Sequence, residues 1–265
     1  MSKSNNYAIG VFDSGLGGLT VVKELMKQLP CEDIVYYGDT ARVPYGTKSR
    51  ESIIRFSKEN AEVLLKQKVK IIVVACNSSS SYALSSLKKR FNLPIIGVVA
   101  PGAQKAVTMT KNRKVGVIAT SATVKSRQYA KTIKRLSPSI KVFSQPCPLF
   151  VPLVEEGWLQ RDVTRRVAKE YLAKLKQSRV DTLILGCTHY PLLRNVIQKA
   201  MGQGVALVDS AKEVAAEVNK TLGKFKKYRI SKQRPRYHFF VSDKPQEFGR
   251  IAKNFLGRDI KAVKV

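Results

Sequence analysis

Two cysteines in the chain have the surroundings of catalytic thiols. Cys76 follows an apolar run at 69–75, and Cys187 follows another at 182–185, each directly before polar residues that open a predicted helix. Ligands of open α/β sheets bind outside the carboxyl ends of the strands. The N-terminus of a helix favours negative charge. We therefore predict that either sulfur can be present as the thiolate, the form that reacts with protons and electrophiles.

The sequence around the two cysteines is duplicated. The matching stretches are 8–14 with 114–121, and 69–78 with 180–189. Cys76 lies 66 residues after Gly10, and Cys187 lies 71 residues after Gly116, so the order and the approximate spacing are kept. Two matches in the same order predict two similar α/β halves, each of which ends a buried strand with a cysteine.

Two titratable residues adjoin these thiols. Asp13 ends the first predicted strand, and His189 comes two residues after Cys187. Each is suited to act as an acid–base partner of a thiol. A zinc site built on Cys187, His189 and a third ligand is an alternative, although the paired spacing that is usual for zinc is absent.

The glycine-rich stretch 15–20 resembles a dinucleotide-binding loop only in part. The third glycine of that fingerprint is replaced by Thr20, so we do not assign a dinucleotide to it. The backbone N–H groups of such a turn are instead suited to bind an anionic group such as a carboxylate.

Thiols at mirrored positions suit a reaction that inverts a carbon stereocentre. Such a reaction needs one base on each face of Cα, so that one removes a proton while the other supplies one. A duplicated fold that closes on a small ligand provides this arrangement without pyridoxal phosphate. No cofactor motif is apparent in the sequence, and we predict no cofactor.

The elements that must position these residues are short apolar runs alternating with segments of helical period. Strands are predicted at 7–12, 33–37, 69–75, 94–100, 114–118, 141–143, 182–185, 205–208 and 238–243. Among the helices is 162–176, with Val163, Val167, Tyr171 and Leu175 as its apolar face. This alternation is typical of α/β proteins with parallel sheets.

We predict two doubly wound parallel-sheet domains related by pseudo-twofold symmetry, with the active site in the cleft between them. Residues 1–99 together with 210–265 are assigned to the N-terminal domain, and residues 100–209 to the second. The late strand at 238–243 needs a sheet to join, which is why the C-terminal segment is assigned to the first domain.

Composition fits an ordinary globular protein and excludes several classes. Of 265 residues, 44% are hydrophobic and 25% are charged, which excludes disordered and collagen-like chains. No apolar run approaches the ~20 residues of a bilayer span, and no secretory leader is recognised at the N-terminus. The four cysteines include no CxxC pair, so we expect free thiols in a reducing cytoplasm. Cys31 and Cys147 are interpreted as small buried residues.

The formal net charge of +29 is large for this length. Such a charge attracts polyanions and acidic substrates. The densest basic run lies at 224–236 and contains Lys224, Lys226, Lys227, Arg229, Lys232, Arg234 and Arg236, interleaved with aromatic residues. We interpret this run as a solvated helix end and linker. A nucleic-acid patch that makes nonspecific contacts is the alternative.

The chain resembles the bacterial glutamate racemases of the cofactor-independent aspartate/glutamate racemase superfamily. The motifs that carry the resemblance are 12–21 (FDSGLGGLTV), 37–46 (YGDTARVPYG), 75–77 (ACN), 185–191 (LGCTHYP) and 255–259 (FLGRD). They are long and specific, and they extend over almost the whole chain.

The resemblance implies a role for each matching residue. Cys76 and Cys187 are the two proton donors and acceptors, with Asp13 assisting the first thiol, His189 the second, and Glu155 beside His189. The positions that hold the substrate are Asp13, Ser14, Tyr45, Gly46, Asn77, Ser78, Thr188 and His189. The resemblance further implies glutamate as substrate, no cofactor or metal, a homodimer, no contact with membranes, a cytoplasmic location, and D-glutamate supplied for peptidoglycan.

Two positions depart from the family pattern. Ser78 stands where the family generally has threonine, and Ala119 where glycine is common. Since Ser78 keeps the hydroxyl, we expect substrate binding to persist in a looser pocket. The rival interpretations are an aspartate racemase, which the opening motif disfavours, and a nucleic-acid-binding or DNA gyrase-modulating protein on a racemase scaffold. A binding role would need neither thiol.

Overall fold

Ten strands and twelve α-helices alternate along the part of the chain that the structure describes, residues 3–265 of a computed structural model. The strands are β1 (Ala8–Asp13), β2 (Ile34–Gly38), β3 (Val69–Val74), β4 (Ile95–Gly97), β5 (Lys114–Ala119), β6 (Lys141–Pro146), β7 (Thr182–Gly186), β8 (Ala206–Asp209), β9 (Tyr237–Val241) and β10 (Ala262–Lys264). The helices are α1 (Leu19–Gln28), α2 (Arg50–Lys66), α3 (Asn77–Tyr82), α4 (Leu84–Arg90), α5 (Val99–Met109), α6 (Ser121–Ser126), α7 (Gln128–Leu136), α8 (Phe150–Glu155), α9 (Asp162–Gln177), α10 (Arg194–Met201), α11 (Ser210–Lys224) and α12 (Pro245–Leu256).

The strands form two sheets in which every neighbouring pair is parallel. The first sheet has the order β10-β9-β2-β1-β3-β4, and the second has the order β6-β5-β7-β8. The order β2-β1-β3-β4 is therefore repeated as β6-β5-β7-β8. The register pairs Gly10 with Ile72 and Phe12 with Val74, and correspondingly Gly116 with Leu183 and Ile118 with Leu185. The duplication predicted from the sequence is confirmed down to the pairing of single residues.

The C-terminal segment extends the first sheet. β9 pairs with β2, and β10 pairs with β9. β9 covers most of the late strand expected at 238–243, whereas β10 was not predicted. The assignment of domain boundaries at 99/100 and 209/210 stays a prediction.

Burial of the strands on both faces explains their apolar composition. Every residue of β1, β2, β3 and β7 is buried, as parallel strands covered by helices on both sides require. One cluster of buried side chains includes members of both sheets and of α1, α11 and α12, for example Ile9, Leu183 and Val214. Among the described residues, no helix combines the length and the apolar character needed to cross a bilayer.

Three expectations from the sequence were wrong in detail. The strand expected at 94–100 is limited to β4, because α5 begins at Val99. The buried face of α9 is formed by Thr164, Ala168, Leu172 and Leu175, whereas Val163 is exposed. Cys31 is exposed, while Cys147 is buried as expected.

Candidate active site

A small cavity lies where β3, β7 and the turns after β1 and β2 meet. Its volume is about 30 Å³, and it is lined by Ser14, Val43, Pro44, Tyr45, Gly46, Cys76, Asn77, Ser78, Thr120, Val151, Cys187, Thr188 and His189. Both cysteines singled out in the sequence therefore face one space, together with most of the residues expected to hold substrate. Asp13 and Glu155 do not line this cavity and lie next to residues that do. A larger cavity of about 240 Å³ adjoins Glu155 and contains neither thiol.

The duplicated strands place the two thiols. Cys76 comes two residues after the end of β3 and directly before α3, and Cys187 directly follows β7. Since β3 and β7 hold equivalent places in their sheets, the two sulfurs approach the cavity from equivalent strand ends. Each cysteine is only 6% exposed, so bulk water has little access to either sulfur.

The surroundings of Cys76 favour the protonated thiol. Its Sγ lies 3.7 Å from the hydroxyl oxygen of Ser14. Burial, followed by the charge of Asp13, raises the pKa of Cys76 to about 11. The prediction of a thiolate at this position is wrong, because the hydrogen bonds that Ser14 and the backbone N–H of Ser79 give to the sulfur do not offset its loss of solvation.

Asp13 is the last residue of β1, directly before Ser14, and is completely buried. Its Oδ2 accepts a hydrogen bond from the backbone N–H of Gly15 at 3.1 Å, whereas Oδ1 has no partner among the described residues. Burial raises the pKa of Asp13 above its usual value. The carboxyl group therefore acts on Cys76 through its electric field, while the contact with the sulfur comes from Ser14.

Cys187 has a different kind of partner. Its Sγ lies 3.8 Å from Nδ1 of His189, and Nε2 of His189 lies 3.0 Å from Oε1 of Glu155, the last residue of α8. Burial alone would lower the pKa of His189, but its hydrogen bonds to Cys187 and Glu155 outweigh burial and raise it to about 10. The imidazolium is therefore the favoured state of His189, which lies between the sulfur of Cys187 and the carboxyl group of Glu155.

These contacts of His189 argue against the zinc site that the sequence left open as an alternative. Both ring nitrogens of His189 already have partners, so neither is left to ligate a metal in this arrangement. Within residues 3–265, no three His, Cys, Asp or Glu side chains are grouped as metal ligands.

The glycine-rich turn after β1 packs directly against Thr188 and His189, the two residues that follow Cys187. A Cβ atom at Gly17 would overlap Oγ1 of Thr188 and lie 2.5 Å from Nδ1 of His189. Thr20 also contacts this region, since its hydroxyl lies 3.1 Å from the carbonyl oxygen of Thr188. The glycines therefore allow the first half of the molecule to approach His189 closely.

Another part of the cavity wall, at Ser78, contacts the second half of the molecule. Its hydroxyl lies 3.0 Å from Oγ1 of Thr120 and 3.3 Å from Oγ1 of Thr123. Thr120 was not selected from the sequence, although the internal repeat aligns it with Ser14, both being four residues after the matched glycine. A Cβ at Gly46 would lie 2.8 Å from the Cβ of Thr120. The hydroxyl that Ser78 keeps is therefore held by two threonine hydroxyls of the second half.

Tyr45 anchors the turn that contributes Pro44 and Gly46. Its phenol is hydrogen-bonded to the carboxylate of Asp39, and Asn60 donates to the phenol oxygen at 3.1 Å. Arg42 donates to the same carboxylate at 2.7 Å. The hydroxyl of Tyr45 is thus used by these neighbours, which fixes the turn at the edge of the cavity.

Comparisons with known proteins agree with this architecture. A family model described as Asp/Glu/Hydantoin racemase matches residues 9–218. The glutamate racemase of Geobacter metallireducens is 50% identical over 250 residues, which are 94% of this chain and 93% of that protein. A glutamate racemase isoform of Bacillus anthracis has a TM-score of 0.94 at 39% identity, with 98% of this chain and 97% of that chain covered.

A second solved structure is as similar. The glutamate racemase of Francisella tularensis, determined in complex with D-glutamate, has a TM-score of 0.93 at 41% identity, with 98% of both chains covered. Since these similarities extend over nearly the whole length of both partners, the chain belongs to the Asp/Glu/hydantoin racemase family, among its glutamate racemases.

Proposed function

We propose that this protein interconverts L-glutamate and D-glutamate by proton transfer between Cα and two cysteine sulfurs. The observation that carries the proposal is that Cys76 and Cys187 line one cavity from the ends of equivalent strands. Two acid–base groups that face one substrate from two halves of a duplicated fold suit removal and return of a proton on opposite faces.

In the direction from L- to D-glutamate, Cys187 acts as the base. Its thiolate takes the α-proton, and the electron pair of the broken C–H bond remains on Cα. The thiol of Cys76 then supplies a proton to the other face. The product is D-glutamate, with Cys187 now a thiol and Cys76 a thiolate, which is the pair needed for the reverse direction. The assignment of Cys187 to the L-enantiomer rests on the family resemblance.

The partners of the thiols have different roles in this proposal. His189 and Glu155 stabilise the thiolate at Cys187, and Asp13 assists proton transfer at Cys76. The substrate is held by Ser14, Tyr45, Gly46, Asn77, Ser78, Thr188 and His189, which line the cavity. Asp13, which the resemblance also assigns to substrate binding, does not line the cavity and acts from behind Ser14. Substrate binding by Tyr45 and Gly46 would use the backbone of their turn, since the phenol of Tyr45 is occupied by Asp39 and Asn60.

Circular dichroism of L-glutamate incubated with the purified protein tests the function. After exhaustive dialysis with a chelator and without added pyridoxal phosphate, we expect the signal to decay to zero. The same end point should be reached from D-glutamate, since enantiomers have equal free energies. In D2O the product should carry deuterium at Cα. An absolute need for pyridoxal phosphate or a metal ion, or faster turnover of aspartate, would contradict the proposal.

Further properties follow from the family resemblance. We propose that the protein is a cytoplasmic homodimer and that its D-glutamate serves peptidoglycan synthesis. Light scattering coupled to gel filtration should give twice the mass of the chain. A contact with nucleic acid is proposed only as a nonspecific consequence of the +29 charge.

A further inference from the structure

A buried tyrosine outside the cavity contacts one of the residues that line it. Tyr129 of α7 is 2% exposed, and its phenol oxygen lies 2.7 Å from Oδ1 of Asn77. The phenol oxygen also lies 3.0 Å from Oγ of Ser210, the first residue of α11. Asn77 directly follows Cys76. The second half of the molecule thus contacts a site residue of the first half through one side chain.

The direction of the hydrogen bonds follows from the distances. The hydroxyl of Ser210 is 3.0 Å from the phenol oxygen but 3.5 Å from the carbonyl oxygen of Leu185. Donation from Ser210 to the phenol is therefore the stronger choice. The phenol proton is then directed to Oδ1 of Asn77. Burial raises the pKa of Tyr129, so the phenol keeps this proton throughout the neutral range.

The ring of Tyr129 occupies a slot that two glycines make possible. A Cβ at Gly186 would lie 3.2 Å from Cε2 of the ring. A Cβ at Gly102 would lie 3.6 Å from Cε1 and 2.8 Å from Oγ of Ser210. The position of the phenol is therefore set by packing from both edges as well as by its hydrogen bonds.

The consequence concerns the orientation of the Asn77 amide. Because Oδ1 accepts from Tyr129, the two N–H donors of Nδ2 remain without a hydrogen-bond partner among the described residues, and Asn77 lines the cavity that both thiols face. Donors are what a carboxylate requires, and the flipped amide would present an oxygen to an anion. We propose that Tyr129 and Ser210 are positioning residues that hold the Asn77 amide with its donors toward a carboxylate of the substrate. This inference rests on the proposed function.

Steady-state kinetics of Tyr129→Phe test the inference. Loss of the phenol frees the amide to rotate, so KM for both enantiomers of glutamate should rise about 10-fold, with kcat changed less than about twofold. Tyr171→Phe is the control, because Tyr171 also has a hydrogen-bonded phenol, which accepts from the N–H of Leu149 at 3.3 Å and does not contact Asn77. That variant should keep the wild-type KM.

A double-mutant cycle separates positioning from a merely structural role. In an Asn77→Ala background, Tyr129→Phe should cause no further loss in kcat/KM, since no amide remains to be oriented. An equal loss in both backgrounds, or a fall in kcat at unchanged KM, would overturn the inference. If Tyr129→Phe does not fold, Ser210→Ala replaces it, with an expected rise in KM of about threefold. An unchanged KM in that variant would equally overturn it. Failure of the proposed function would instead appear in the wild-type protein, as a lack of racemisation.

Discussion

At the scale of single residues, the two cysteines are equivalent in position and have different titratable partners. Cys76 has a buried carboxyl group behind it, which together with burial raises its pKa to about 11. Cys187 has a cation beside it, because the pKa of His189 is raised to about 10. The protein therefore holds a proton on Cys76 and a protonated imidazole beside Cys187. The two cysteines thus differ in the charge next to them, although they occupy equivalent strand ends.

Replacement of each cysteine by serine should separate the two faces of the substrate. A serine hydroxyl stays protonated at neutral pH, and a positioned base contributes ~10²–10⁴-fold, so racemisation should collapse in both variants. Elimination of HCl from 3-chloroglutamate needs only removal of the α-proton. Cys76→Ser and Cys187→Ser should therefore each retain elimination from one α-configuration and lose it from the other, with opposite preferences. By family resemblance, Cys187→Ser should lose the L-configured substrate.

Chloride release from each stereoisomer measures this preference. The two variants serve as controls for each other, because both lose one thiol and both keep the rest of the cavity. Equal loss of both stereoisomers in natively folded variants, or the same preference in both, would show that the cysteines do not serve opposite faces.

The raised pKa of His189 also predicts how stability depends on pH. The folded protein keeps a proton on His189 that the unfolded chain releases above its usual pKa of 6.5. This contribution to the free energy of unfolding is complete below about pH 6.5 and is lost as the pH rises to about 10. Urea unfolding of the wild type and His189→Asn should therefore give a stability difference that narrows over this range. In Glu155→Gln the decline should shift to lower pH, whereas a difference independent of pH would refute the argument.

At the scale of elements, the sequence predicts correctly the strands whose residues are all buried, because burial shows directly in their composition. β3 and β7 are recognisable because every residue in them is buried and most are apolar. Lys70 of β3 is the charged exception, and it forms an ion pair with Glu32. The face of α9 is less predictable. Val163 and Thr164 are neighbours on the helix, and hydropathy alone predicts that valine is the buried one. Thr164 is buried instead, and its hydroxyl donates a hydrogen bond to the carbonyl oxygen of Trp158. Tyr129 and Thr120 escaped selection because their roles depend on contacts between the two halves.

The turn between β1 and α1 shows why an element can require glycine. Gly17→Ala would push Thr188 and His189 out of place, since its Cβ would lie 2.5 Å from Nδ1 of His189. A displacement of about 1 Å at a catalytic group can cost ~100-fold in rate, and we expect a loss of that size in kcat. Gly204→Ala is the control, because a Cβ there meets nothing within 4 Å. Equal activity of both variants would show that the close approach is not needed.

At the scale of the whole molecule, the positive charge is not a single surface feature. Within the basic run 224–236, the side chain of Arg229 is buried: it is 2% exposed, and its Nε lies 3.3 Å from Oδ1 of Asp33. Its backbone N–H donates to Glu32 at 2.8 Å, and Glu32 forms a buried ion pair with Lys70. Arg229 therefore fixes the segment between α11 and β9 to the first sheet. The interpretation of the run as solvated is wrong for this residue, whereas Lys224, Lys232 and Arg234 are exposed.

Two variants of this run should separate surface charge from buried charge. Replacing Lys224, Lys232 and Arg234 by glutamine should leave racemisation unchanged, because none of them contacts the cavity. Binding to DNA should be weak, nonspecific and strongly salt-dependent, and this variant should lower the slope of log K against log salt by up to about 3. Arg229→Met should instead cost roughly 3–5 kcal/mol of stability, since it leaves the buried carboxylate of Asp33 without its closest cation. Fluorescence anisotropy across a salt series and urea unfolding measure the two effects. A sequence-specific footprint that persists in high salt, or loss of activity in the triple variant, would contradict this prediction. Either result would mean that the basic run has a functional role beyond its contribution to the net charge.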